Sequence, residues 1–493
     1  MKTRLALCVA LAACSSSDRK PDAPAPAPAA APTVPPPDFS KLPAPTAARP
    51  WSPPAVETWQ MANGVSVYFV PQAHVPLVSI SLVVPRGACT DPPGKAGLTA
   101  LMADLLDEGA AGRNALQLSE AWQALGADFS ITTTTDAIIF DLDALADKVT
   151  DSLALFADVA LRPDLSSVEF QRRKDQRIAT ALAAEADPAS TRSVALRRVV
   201  FGQGYGALPA DGLRSTLKGL EVKDVVDQYR AAVVPQGASL IVVGATDRAT
   251  VQAELERAFG GWAGAAKVAF QAVDSNQPER AVYFVDHPGA SQSAIAVAMR
   301  SESAQAPDLF ESEVYNWTVG GAFTSRINLN LREVKGFTYG ARSGFYRWSQ
   351  AGFFSVGALV KAPHTRESVD EIFKDLAGAH QGRPITAQEA NEARAGLLLG
   401  FPSEFESVSA VSSKVTELAM LARPATWYSD WPRRVEAVTD AAVGRVAERA
   451  SHREAYVVVV SGDYASVGPT FESIGLPIVR LDAQGNRLPP PKK

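Results

Sequence analysis

The chain has 493 residues, 46% hydrophobic and 20% charged, with a formal net charge of −5. That is too long for one ordinary core and has the balance of a folded globular protein, so two or more domains are expected. The lack of any basic run argues against nucleic acid as a partner, and past the first residues no apolar stretch reaches the roughly 18 residues of a membrane span. Of the three cysteines, Cys8 and Cys14 belong to the N-terminal segment and Cys89 stands alone in the body. No intrachain disulfide framework is therefore available. A lone cysteine of this kind is ordinarily a small buried residue rather than a nucleophile.

In chain order, Lys2 and Arg4 precede the apolar run Leu5 to Ala13, and Leu11-Ala12-Ala13-Cys14 leads into Ser15-Ser16-Ser17. A basic start, a short apolar run and a small-residue exit describe a secretory signal peptide over residues 1–13. The plainer reading is a cleaved signal in which Cys14 is incidental. The Leu-Ala-Ala-Cys ending, however, resembles the bacterial lipobox. That resemblance implies lipidation of Cys14 and an envelope lipoprotein, and Ser15 at the next position resembles those sent to the outer membrane, facing the periplasm. Several acyl chains anchor stably where one is marginal. Residues 14–50, rich in Pro and Ala, cannot bury a core and read as a semi-rigid tether.

From Trp51 the composition becomes globular. After the turn signal Asn63-Gly64, Val65 to Val70 alternates as a strand, and Val75 to Pro85 holds a second. Helices are expected at 95–110, 114–126, 146–160 and 165–186, with strands within 131–142. A closing strand at 239–244 and a helix at 249–259 follow. The second half repeats the order: strands at 282–285 and 293–299, a helix at 308–332, strands at 336–348 and 351–361, helices at 365–380 and 386–399, and a strand at 455–460. Val282-Tyr283-Phe284-Val285 echoes Val67-Tyr68-Phe69-Val70. Such self-similarity implies duplication of one α+β unit. The expected fold is α+β in two homologous halves, 51–265 and 266–485, with a tail at 486–493. Each half is expected to divide into two similar layered α/β subdomains, antiparallel sheet with helices on one face, the halves forming a clam-like chamber.

Gly97-Leu98-Thr99-Ala100-Leu101-Met102-Ala103-Asp104, continuing to Gly109-Ala110, resembles the zinc helix of the pitrilysin/insulinase family of peptidases. Family enzymes read Gly-Leu-x-His-x-x-Glu-His there. Two His one turn apart share a face and bind Zn²⁺, and the intervening Glu polarises water. Here the frame is kept without the chemistry: Ala100 stands at the first His, Ala103 at the Glu and Asp104 at the second His. The distant Glu ligand of the family would fall near Thr180 or Ala181, and Glu185 should point elsewhere. The five histidines, His74, His287, His364, His380 and His452, include no pair three to five residues apart. No metal site can be written in this chain from local spacing. Asp104, Asp107 and Glu108 read most simply as a solvated helix end.

A second signature is present. Residues 320–343 run Gly320-Gly321-Ala322-Phe323-Thr324-Ser325-Arg326-Ile327, continue through Leu331-Arg332-Glu333-Val334-Lys335-Gly336, and end at Tyr339 and Ser343. This resembles the family's Gly-Gly turn and its Leu-Arg-Glu-x-x-Gly-x-x-Tyr pattern at nearly every position. The resemblance implies that Arg332 binds a substrate carbonyl or carboxylate through its donor fork. It implies that Tyr339 donates to the oxyanion, and that Gly320 and Gly321 offer backbone groups to an extended peptide. Taken singly, Arg332 could cap a helix and Tyr339 could pack.

Degenerate zinc positions beside an intact Arg/Tyr motif are the pattern of two-chain family members, one chain carrying zinc and the other Arg and Tyr. The resemblance thus implies a non-catalytic, substrate-binding subunit, inactive alone, with a zinc-bearing homologue and a peptide as partners. It would hold no cofactor itself; zinc is expected in the partner. Two alternatives stay open: a peptide-binding or scaffold envelope lipoprotein with no proteolytic role, and a self-sufficient peptidase with a displaced metal site.

Overall fold

A computed structural model describes residues 51–489. The signal peptide, Cys14, the tether and residues 490–493 lie outside it. In the first half, β1 (Glu57–Gln60), β2 (Ser66–Pro71), β3 (Leu77–Val84), β4 (Asp128–Thr133), β5 (Ile138–Leu145) and β6 (Ser239–Gly244) form one six-stranded sheet in the order β1-β2-β6-β3-β5-β4. In the second, β7 (Val282–Asp286), β8 (Gln292–Ser301), β9 (Thr338–Arg347), β10 (Gly352–Lys361), β11 (Val457–Gly462) and β12 (Ile478–Leu481) are ordered β9-β10-β8-β11-β7-β12. Read from its far edge, the second sheet repeats the first strand for strand. The one parallel pair in common, β2 with β6 and β7 with β11, falls at the same place. Only the outer edge differs: β1 enters by an antiparallel hairpin, whereas β12 comes from the end of the chain and runs parallel to β7.

The expected duplication is therefore present, but each half is built on a single mixed sheet rather than two subdomains. The helices of the first half are α1 (Leu98–Leu106), α2 (Ala115–Leu125), α3 (Val149–Leu161), α4 (Ser167–Glu185), α5 (Pro188–Phe201), α6 (Val222–Ala232) and α7 (Arg248–Phe259). Those of the second are α8 (Leu309–Asn316), α9 (Thr365–Gly378), α10 (Ala387–Gly400), α11 (Val408–Met420), α12 (Trp427–Glu436) and α13 (Asp440–Ser451). Leu101, Met102, Phe156 and Phe259 cover one face of the first sheet through Leu82 and Phe140. Among the described residues no helix is long and apolar enough to cross a membrane.

The opposite faces explain why β3 and β8 are buried almost throughout rather than alternating. Each is covered by a helix from the other half. Ala195, Leu196, Val200 and Phe201 of α5 pack on Tyr283, Val285, Ala296 and Val459 of the second sheet. In return Val408, Val411, Val415 and Leu418 of α11 pack on Val83, Ile139, Ile241 and Val243 of the first. Hydroxyl pairs mark both seams: Thr191 Oγ1 with Ser461 Oγ at 2.8 Å, and Ser81 Oγ with Ser412 Oγ at 3.2 Å. The β-hairpin loops meet as well, where Asp136 accepts from the Tyr205 hydroxyl and from Ser349 N–H and Oγ, each of the last two at 2.8 Å. The halves thus meet through packed cores rather than across an open chamber. Cys89 lies buried at this seam, and burial, reinforced by nearby Asp136, pushes its thiol up to about 12; it is a packing residue.

Candidate functional site

Helix α1 is set by Gly97, which takes a left-handed φ of +91° where an added Cβ would sit 2.8 Å from the Asp211 carbonyl oxygen. Asp91 then caps the helix. Its carboxylate accepts from the N–H groups of Gly97 and Thr99, each at 2.8 Å, and from Thr99 Oγ1 at 2.6 Å. Burial raises the Asp91 pKa to about 6, against the lowering effect of those bonds. The cap orients the zinc-helix positions in the expected register. Ala100 and Ala103 are buried in the helix-covered core, and neither side chain carries a donor atom.

Asp104 reaches the surface and is already paired. The Arg177 guanidinium of α4 forks onto it, Nε to Oδ2 and Nη2 to Oδ1, the latter at 2.9 Å. The same group donates to the Ala100 carbonyl and to Asp211, both at 3.1 Å. Although burial alone would lower the Arg177 pKa, the two carboxylates raise it. Thr180 and Ala181 line the same cleft as Asp104, while Glu185 turns away to Arg214 at 2.9 Å. One carboxylate occupied by a fixed cation does not fit zinc, which takes three protein ligands or more. Among the described residues no group of three or more His, Cys, Asp or Glu could hold a metal. Arg177 was not singled out from sequence. Its signal was present: an Arg one helical turn before the distant-ligand position, beside an Asp at the second His position.

The second signature is built differently. The helix expected at 308–332 breaks into α8, a π-helical turn at Trp317–Gly321, a short turn at Arg326–Asn328 and a second π-helical turn at Leu329–Val334. π-turns of this kind recur at functional positions. An added Cβ at Gly320 would lie 2.2 Å from Ser343 Oγ and one at Gly321 would lie 2.6 Å from Asn316 Nδ2, so Gly320 serves close packing against β9 and Gly321 against the end of α8. Gly320 is buried and Gly321 half-buried.

Tyr339 sits where the β9–β10 register shifts, a bulge on the edge strand, and is 90% exposed. Bulges re-aim side chains in this way. Two residues hold the bulge: Thr338 Oγ1 accepts from Gly340 N–H, and Asn328 Oδ1 accepts from Ala341 N–H at 3.0 Å. Asn328, almost fully buried, also donates to the Phe323 carbonyl at 2.6 Å. It therefore fixes the loop at Phe323 and the strand at Tyr339 together. Sequence reasoning passed over it. Arg332 lies over the Phe323 ring at 4.7 Å and meets Glu333 at 3.0 Å; Arg342 approaches the same ring. Phe323, Arg332 and Arg342 thus form a cationic–aromatic cluster, and Leu329, Val334 and Tyr339 of the same motif are exposed. This cluster shares no hydrogen bond, ion pair or described cavity with Ala100, Ala103 or Asp104.

Comparison with known proteins agrees with this geometry. Residues 68–201 match the family model "Insulinase (Peptidase family M16)" and residues 219–397 match "Peptidase M16 inactive domain", together well over half of the chain. The chain is 21% identical over 350 residues to the non-peptidase homolog YmxG of Helicobacter pylori, covering 70% of this chain and 79% of that one. A solved peptidase M16 inactive domain from Pseudomonas fluorescens superposes with a TM-score of 0.77 at 22% identity, over 83% of this chain and 98% of that one. A chain of complex III2 from Candida albicans superposes with a TM-score of 0.70 at 16% identity, over 85% and 99%. The chain belongs to the insulinase, or M16, peptidase family, as a member whose zinc-helix positions no longer form a ligand set.

Proposed function

We propose that the chain is the non-catalytic, substrate-binding subunit of a two-chain metalloendopeptidase, lending Arg332 and Tyr339 to a zinc-bearing family partner and a peptide bound between them. The observation that carries this reading is the orientation of the motif. Tyr339 is held almost fully in solvent by a bulge that Asn328 and Thr338 stabilise, and among the described residues no group of three or more His, Cys, Asp or Glu could hold a metal for it to serve. A buried network that presents one phenol outward is a device for a reaction completed elsewhere. In the pair, Arg332 would grip a carbonyl or carboxylate of the peptide, and Tyr339 would donate to the developing oxyanion. Exposed Phe323, Leu329 and Val334 beside them supply apolar area for the partner. The occurrence of the fold in a chain of complex III2, a multi-chain assembly, supports its use in association.

The N-terminal residues support a lipoprotein, with Cys14 acylated and the head held by its tether on the periplasmic side of the outer membrane. A tagged chain drawn from envelope extract should bring down a zinc-bearing homologue and peptidase activity absent from the chain alone. Recovery of the chain without zinc or activity would overturn the pairing. A relative named as a non-peptidase homolog favours a second reading, a peptide-binding or scaffold lipoprotein. Under it, peptide is retained but no partner restores cleavage.

A further inference from the structure

The cleft beside the degenerate zinc positions is rich in arginine. It holds about 670 Å³ between α4, α5 and the 209–212 loop, and is lined by four arginines, Arg173, Arg177, Arg192 and Arg197, against two aspartates, Asp104 and Asp211. Both aspartates are engaged by Arg177. Arg173 is paired with Glu108, which lies outside the cleft lining. Among the described residues, the hydrogen bonds of Arg192 and Arg197 go to carbonyls and a hydroxyl rather than to a carboxylate. Arg192 makes only long bonds, 3.4 Å to the Ile295 carbonyl and 3.3 Å to Ser193 Oγ, and its buried Nε has no partner. Room for its guanidinium is kept by Gly357, where an added Cβ would lie 3.1 Å from Nη1. Arg197 lies over the Trp348 ring at 4.6 Å and donates to carbonyls at 3.3 and 3.5 Å. The Nε of Arg173 is likewise buried without a partner.

Buried polar groups without partners need an explanation, and buried guanidinium groups without anions are costlier still. Burial lowers the pKa of both Arg192 and Arg197 by more than the nearby Asp187 and Asp211 raise it. The Trp348 ring holds the Arg197 guanidinium at the cleft wall, where donors not used by the two carbonyls can meet a carboxylate or phosphate oxygen. We propose that this cleft is an oxyanion-binding site, in which Arg192 and Arg197 hold the carboxylate or phosphate group of a small ligand. The volume suits a small molecule rather than a bare ion. The site belongs to this chain alone and stands whether or not a zinc-bearing partner exists.

The test titrates the purified chain, without any partner, with inorganic phosphate and separately with succinate. Saturable binding of one equivalent is expected. It should weaken as sodium chloride is raised and should raise the unfolding temperature as ligand approaches saturation. Arg192→Gln and Arg197→Gln should each weaken binding by about tenfold or more, while Arg230→Gln on the exposed face of α6 should not. Tighter phosphate binding points to a phosphorylated ligand and tighter succinate binding to a carboxylate; either supports the site. The proposal is overturned if neither probe binds below about 10 mM. It is equally overturned if Arg192→Gln, with unchanged circular dichroism, binds as the parent does; that variant decides the matter even if Arg197→Gln does not fold.

Discussion

The same topological position has been treated oppositely in the two halves. In the first, α1 is tied to α4 by the Arg177–Asp104 ion pair, which puts a fixed cation where family enzymes hold a metal. In the second, the segment after α8 is joined to α10 by the Arg326–Glu389 ion pair, Nε to Oε1 at 2.9 Å and Nη2 to Oε2 at 2.6 Å, and by the Trp317 ring, which nests on Gly396, where an added Cβ would lie 2.3 Å away. This pair sits away from the Arg/Tyr signature, whose bulge is held by Asn328 and Thr338. One half has neutralised its old site in place; the other projects its signature outward. The comparison shows why the degenerate positions are not mere loss. A paired and capped α1 is an organised structure, and Arg177 makes the absence of ligands stable.

The largest effect is expected where the halves exchange helices. Phe201→Ala removes a fully buried ring from the α5 seam and should cost about 3–5 kcal/mol in chemical denaturation. Because α5 grows from the first half and covers the second, hydrogen exchange should rise in both halves; a rise confined to the first would show that they are independent. Gly396→Ala should cost about 1–3 kcal/mol through overpacking on Trp317. Arg177→Ala should cost about 1–3 kcal/mol by stranding a partly buried carboxylate, and adding Asp104→Ala should recover part of the loss. A double-mutant cycle without coupling would remove the ion pair from the account.

The starts of α1 and α10 should also respond to pH with opposite sign. The Asp91 carboxyl, buried at the start of α1, is harder to ionise in the fold than in the unfolded chain, with its pKa raised from 3.8 to about 6. Between those values the unfolded state releases the proton first, so this group lowers stability as pH rises from about 4 to 6, by up to about 3 kcal/mol. Glu389 at the start of α10 behaves conversely. Burial would raise its pKa, but Arg326 and Thr386 bring it down to about 2. Its stabilisation is present above pH 4.5 and is lost as pH falls toward 2. Acidification should therefore loosen α10 before α1 in residue-resolved exchange, and Asp91→Asn should flatten the response of the first half between pH 4 and 6.

Much of this was legible in the sequence. Runs such as Val457 to Val460 are buried on both faces and announce themselves by composition. The zinc-helix frame and the Arg/Tyr signature are local patterns, and local patterns survive in sequence. The long helix expected at 308–332 misled because apolar periodicity does not reveal that Gly320 must clear Ser343 on a strand more than twenty residues away. The exchange of α5 and α11 was not legible either. Both are ordinary amphipathic helices, and nothing local states which sheet an apolar face will cover. Arg177 and Asn328 were missed for the same reason: their roles exist only through partners distant in sequence, Asp104 and Ala341.

The central claim is that Tyr339 acts on a peptide held at another chain's zinc. The most direct measurement is single-turnover cleavage by the reconstituted pair of this chain with its zinc-bearing partner, comparing the parent with Tyr339→Phe. The account predicts unchanged pairing and peptide affinity with a cleavage rate reduced by roughly 10²–10³-fold, the loss expected for one oxyanion donor. A rate equal to that of the parent, with the pair intact, would contradict it.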